Sequence, residues 1–296
     1  MIHEWLLEPL QFGFMQRALL VSLVAGVVCA VLSCWVTLIG WSLLGDAVSH
    51  AVLPGVVLAY VLDLPFSIGA FLFGGLAVAL IAGVRSTTRL KGDTAIGVVF
   101  TGMFALGLVL VSRIPSQVDL NHILFGNVLG VTDGDIAQVV AIGAAVLIAA
   151  LVKRRDLTLY AFDPTHAHAI GISPRRMGAL LLVMLALTVV VALQAVGVIL
   201  VTAMLITPGA TAFLLTRRFG PMLVTAAGLS VLCAVLGTYL SFHIDTSTGG
   251  MIVCCQTAVF ALVYLGAPKQ GIIPRALRRR AMVGDRTTVR TGPPVT

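Results

Sequence analysis

The chain has 296 residues, 59% of them hydrophobic and only 10% charged, with a mean hydropathy of +1.06. A soluble domain carries about 25% charged residues, so the composition excludes a soluble enzyme, a disordered chain and a nucleic-acid reader. The net charge is +7, but +6 of it sits in residues 268–296, where seven Lys/Arg stand against Asp285 alone. A basic segment directly after an apolar run marks a cytoplasmic end beside anionic lipid, so membrane lipid and not nucleic acid is the expected partner there.

A membrane-crossing helix needs about 20 apolar residues, and the chain offers runs at 14–44, 47–62, 66–84, 94–112, 136–152, 177–196, 197–216, 221–241 and 249–266. The expected fold is all-α: a polytopic membrane protein of eight or nine transmembrane helices. One membrane domain covers 1–267, and a flexible basic tail covers 268–296. His3, Glu4 and Glu8 replace the basic start of a cleavable signal, and the apolar run from Ala18 is too long for one. Basic residues cluster at Arg85/Arg89/Lys91, Lys153/Arg154/Arg155, Arg175/Arg176, Arg217/Arg218 and the tail; Arg17 and Arg113 fall elsewhere. Two runs separate successive clusters wherever runs intervene, which predicts that all the clusters and the C-terminus are cytoplasmic. The side of the N-terminus stays open. The runs 177–196 and 197–216 require a tight turn near Gly197. Five cysteines (Cys29, Cys34, Cys233, Cys254, Cys255) lie in apolar runs without a CxxC spacing and read as packing residues.

Asp46 and His50 stand four apart at the start of the second run. Helical spacing puts them on one face, and a carboxylate with an imidazole suits Mn(II), Fe(II) or Zn(II). The competing reading makes Asp46 a helix N-cap and His50 a packing residue. Pro54 follows one turn later, and Pro208 interrupts the seventh run in a similar Pro-Gly context. Such paired breaks either mark a transport pathway built from repeats or reflect the frequency of Pro-Gly in membrane helices. Asp119/His122 and His243/Asp245 fall in the two loops expected outside, where each pair is either a cation-capture point or a set of solvated turn residues.

The cytoplasmic stretch 162–171 carries Asp163 as a helix N-cap, Pro164 at the first helical position and Gly171 as a stop. It predicts a short exposed helix suited to docking a partner, with Ala167 on the docking surface. Three lysines occur (Lys91, Lys153, Lys269), none preceded by glycine, so there is no Walker A loop. A second zinc histidine is missing after His3-Glu4, where Leu7 stands, and no G-x-S-x-G elbow occurs. The chain is not expected to be an enzyme.

Five stretches together resemble the permease subunit of bacterial ABC importers for manganese, zinc and iron. They are Gly45 through Gly55 (GDAVSHAVLPG), Thr88 through Gly97 (TRLKGDTAIG), Leu124 through Leu129 (LFGNVL), Phe162 through Gly171, and Leu205 through Ala210 (LITPGA) with Asp245-Thr246-Ser247. The resemblance implies a cobalamin-importer-like fold and a pathway formed with a second permease, an identical copy or a paralogue. It also implies two copies of a cytoplasmic ATP-binding subunit and an external metal-binding lipoprotein or periplasmic protein. On it, residues 163–171 become the coupling helix, Asp46 and His50 the pathway ligands, and the stretches around Asn127 and Pro208 pathway or gate structure. Hydrolysis falls to the partner, no cofactor is held permanently, and the cargo is a divalent metal. The stretches 40–46 and 125–127 look closer to the manganese/iron branch, and no His-rich loop is present. Manganese is therefore expected first, with iron or zinc next. The rival transport reading is a self-contained secondary carrier or channel, for which 163–171 would be an idle loop. A membrane metalloenzyme would require three protein ligands and an open position.

Overall fold

The computed structural model describes residues 9–89, 92–113 and 132–266. After a 3-10 turn at Pro9–Gln11, the described elements are α1 (Gly13–Ile39), α2 (Ser42–Ala51), α3 (Leu53–Val61), α4 (Phe66–Thr87), α5 (Gly92–Arg113) and α6 (Asp133–Val152). Then come α7 (Arg154–Phe162), α8 (Pro164–Ala169), α9 (Pro174–Val196), α10 (Val198–Leu215), α11 (Phe219–Ile244) and α12 (Thr248–Gly266). Eight stretches are long and apolar enough to cross a membrane, α2 and α3 counting together as Leu43–Val61, and α10 adds a shorter apolar helix, Leu200–Leu215. Among the described residues, the expected eight or nine spans appear as eight of crossing length and one shorter apolar helix. Asp119, His122, the stretch around Asn127 and the tail lie outside the described residues.

The interior is built from the first two spans. In α1 and in Leu43–Val61, 72% of the apolar window is buried within the chain, against 22% in α5 and α6 and 17% in α12. α1 is the hub, packing against α6, α9, α10 and α11. Between membrane helices, lipid competes equally for apolar surface, so close approach of small residues and interhelical hydrogen bonds carry the packing. The sequence supplies both. Ser230 Oγ donates to the Gly26 carbonyl at 2.8 Å, joining α11 to the middle of α1. Gly55 of α3 and Gly69 of α4 meet so closely that a Cβ on either would strike the other's carbonyl. Ser33 Oγ donates to the Ile206 carbonyl at 3.1 Å and accepts the Gly209 N–H at 2.9 Å. Ser33 therefore stitches α1 to α10 on either side of Pro208, where the missing proline N–H interrupts the ladder.

The predicted turn at Gly197 is a single residue between α9 and α10. Its φ of +77° and ψ of 170° lie in a region essentially reserved for glycine. The segments carrying the clusters at 153–155, 175–176 and 217–218 meet at one end of the bundle. Tyr160 Oη lies 2.9 Å from where a Cβ of Gly178 would sit, beside Trp41, and Arg154 Nη2 stands equally close to that position on Gly220. Trp35 packs against Phe219 there with the rings tilted, centroids 5.0 Å apart. Arg17, an exception to the clustering, sits elsewhere and pairs with Asp133 at 3.0 Å.

Candidate metal pathway

Asp46 and His50 lie on α2, whose N-cap is Trp41. Asp46 is therefore inside the helix and does not cap it. Its Oδ1 is 3.4 Å from His50 Nε2, with side chains 36% and 20% exposed in the single chain. The separation is that of an Asp–His ion pair and also matches the about 3.4 Å between two ligands about 2.1 Å from one tetrahedral ion. Among the described residues no third His, Cys or carboxylate joins it.

Neighbouring residues fix both side chains. Thr202 of α10 donates from Oγ1 to Asp46 Oδ1 at 2.9 Å, leaving the other carboxylate oxygen outside that bond. Ser49 Oγ donates to the Asp46 carbonyl at 2.9 Å and lies 3.3 Å from Thr202 Oγ1. The His50 ring is held between Phe100 and Phe104 of α5, at centroid distances of 5.4 and 5.1 Å. Its Nδ1 is buried without a hydrogen-bond partner, so aromatic packing replaces the hydrogen bond that usually orients a ligand histidine. Pro54 has no N–H to donate to the His50 carbonyl, four residues back, and that oxygen meets the Val52 N–H at the end of α2 instead. Thr202, Ser49, Phe100 and Phe104 carried no sequence signal beyond being a hydroxyl or a ring in an apolar run.

The other expected site residues are distributed. His243 lies in the last turn of α11, and Asp245 is its C-cap in the left-handed region, φ +54°, with its N–H on the Ser241 carbonyl. Asp245 thus closes a helix. Asp163 caps α8, its Oδ1 accepting the N–H groups of Thr165 and His166 at 3.0 and 2.9 Å. Gly171, at φ +88°, ends it in a Schellman arrangement: Ile172 N–H reaches the Ala167 carbonyl and Gly171 N–H that of His168. The position of Ala167 corrects the sequence expectation. It is fully buried, because α8 packs against α7 and α9 of its own chain. The outward side carries Phe162, His166, His168 and Ile170, with Phe162 and Ile170 at 66% and 56% exposure.

Eight helices long and apolar enough to cross a membrane, with a capped short helix outside them, are the architecture of a polytopic transport permease. The chain matches the ABC 3 transport family over residues 11–267 and belongs to it. It is 58% identical to the manganese transport system membrane protein MntB of Synechocystis sp., over 94% of this chain and 91% of that one. It is 51% identical to the chelated iron transport system membrane protein YfeD of Yersinia pestis, over 89% and 90%. Its fold superposes on PsaBC from Streptococcus pneumoniae, solved in complex with Fab, with a TM-score of 0.84 and 38% identity, covering 95% of this chain and all of that one. A metal-chelate type ABC transporter in an inward-facing conformation shares the fold at TM-score 0.69 and 15% identity. The chain is thus the membrane-spanning subunit of an ABC importer, and nucleotide hydrolysis belongs to a separate subunit.

Proposed function

We propose that the chain imports a divalent transition metal, manganese first and iron or zinc next, with Asp46 and His50 as the transit site. The observation that carries this is their 3.4 Å separation inside an apolar bundle, with one carboxylate oxygen tied to Thr202. Two protein ligands bind weakly, as transit demands. The His50 carbonyl beside Pro54, water, or the same pair on a second permease completes the shell. As a ligand the imidazole offers the lone pair of Nε2, the nitrogen that faces Asp46. The manganese and iron names of the 58% and 51% identical relatives favour those metals.

The partners follow from the same reading. An external metal-binding protein delivers the ion, a second copy or paralogue completes the pathway, and two ATP-binding subunits dock on α8 from the cytoplasm. The end bearing Arg154, Arg175 and Arg217 is the cytoplasmic one by the positive-inside rule. The protein resides in the bacterial plasma membrane with its C-terminus inside. The capped, exposed α8 favours an ATPase partner over a self-contained carrier.

Cells lacking the chain should lose high-affinity manganese uptake and regain it with the wild-type chain. The Ile170→Asp variant should insert normally, lose copurification with the ATP-binding subunit and restore less than about a tenth of the uptake. A tenth corresponds to about 1.4 kcal/mol, a loss reached only by the minority of interface residues that carry most of the binding energy. Ala167→Glu should instead unseat α8 and lower the amount of folded protein. Full manganese uptake without the chain would refute the proposal.

A further inference from the structure

We propose that the basic end of α6 and α7 holds a structural anionic phospholipid. An open groove of about 700 Å³ lies there, within the range of about 300–1,000 Å³ that small-molecule sites occupy. Its lining combines two chemistries. Leu151 and Val152, the last residues of the α6 span, are 57% and 73% exposed. With them in the lining are Arg154, Arg155 and Thr158.

The charges point to the occupant. Lys153 is paired with Asp156 at 3.4 Å, whereas neither Arg154 nor Arg155 is paired with a carboxylate among the described residues. Thr158 Oγ1 gives its proton to the Arg154 carbonyl, so the groove presents two unpaired guanidinium forks beside apolar surface that continues a membrane span. A lone anion would leave the apolar lining wet, and a neutral lipid would leave the arginines unmatched. A phospholipid with net negative charge satisfies both, its phosphate on the guanidinium groups and its acyl chain along Leu151 and Val152. Basic pockets at the cytoplasmic level of membrane helices bind such headgroups. The leaflet assigned to the lipid rests on the orientation proposed above, but binding itself does not.

The test uses the full chain, delipidated in detergent and given defined lipids, with bound lipid counted by native mass spectrometry. Phosphatidylglycerol should bind about thirty-fold tighter than phosphatidylcholine, the preference two arginines supply at about 1 kcal/mol each. Arg154→Gln with Arg155→Gln should weaken it about fivefold per arginine, about thirty-fold for the pair, and leave phosphatidylcholine binding and monodispersity unchanged. The doubly Lys-substituted chain should keep the preference for anionic lipid. Excess inorganic phosphate should not release the lipid. Equal binding of both lipids, or a preference surviving the Gln pair, would give the groove to a protein partner and overturn the proposal. Release by phosphate alone would show a headgroup-independent anion site and do the same. Because detergent has no sidedness, a wrong orientation would leave these results intact.

Discussion

Asp46→Asn and His50→Ala should each lower metal uptake by at least 100-fold (about 2.7 kcal/mol), while the chain still inserts and retains its ATP-binding subunit. The basis is geometric. Oδ1 and Nε2 are 3.4 Å apart, so the loss of either leaves a single protein ligand on this helix face. Loss of an outer-shell partner costs about 10–100-fold in metal affinity or activity, and loss of a ligand costs more. Thr202 supplies the internal comparison. It touches Asp46 through one hydrogen bond of 2.9 Å, so Thr202→Val keeps the shape and should cost about tenfold. The graded order, severe for Asp46 and His50 and moderate for Thr202, is read from radiolabelled manganese uptake normalised to assembled complex. Normal uptake in both ligand variants would return Asp46 and His50 to a packing role.

Gly69→Val should abolish accumulation of the folded protein. A Cβ at Gly69 would collide with the carbonyl of Gly55 and crowd the Cβ of Ala59 at 2.8 Å. Overpacking a core with side chains costs about 1–3 kcal/mol, but here the obstacle is backbone, which has no rotamer to yield. The same contact anchors α3 against α4 just beyond Pro54, so whatever survives should lose the break beside His50. Gly75→Ala is the control on the same helix, since nothing lies within 4 Å of its Cβ position. The yield of monodisperse protein and its thermal unfolding midpoint check both. A Gly69→Val chain as stable as the Gly75→Ala control would refute the close approach.

Long apolar runs and clustered basic residues made the spans legible in the sequence, because membrane insertion is governed by local composition. The Asp46/His50 pair was legible for the same reason: ionisable groups one helical turn apart are rare in an apolar run. What contacts that pair was not. Thr202 is 156 positions away along the chain, and Phe100 and Phe104 resemble any other apolar residues until α5 is folded against α2. The capping of α8 could be read from Asp163, Pro164 and Gly171, since caps are local. The direction of Ala167 could not, because which side of a six-residue helix is buried depends on the helices it lies against. Pro54 and Pro208 announced breaks, yet only the fold reveals that Ser33 bridges the second while the first lies beside a histidine.

The central claim is that this chain moves metal through Asp46 and His50 only when driven by a separate ATP-binding subunit. The direct measurement is manganese entry into proteoliposomes containing the purified chain, with and without that subunit, with the metal-loaded external binding protein on the outside and ATP within. Entry should require both subunits and ATP, and should disappear with Asp46→Asn. Manganese flowing down its gradient through the wild-type chain alone, unchanged by ATP, would contradict it.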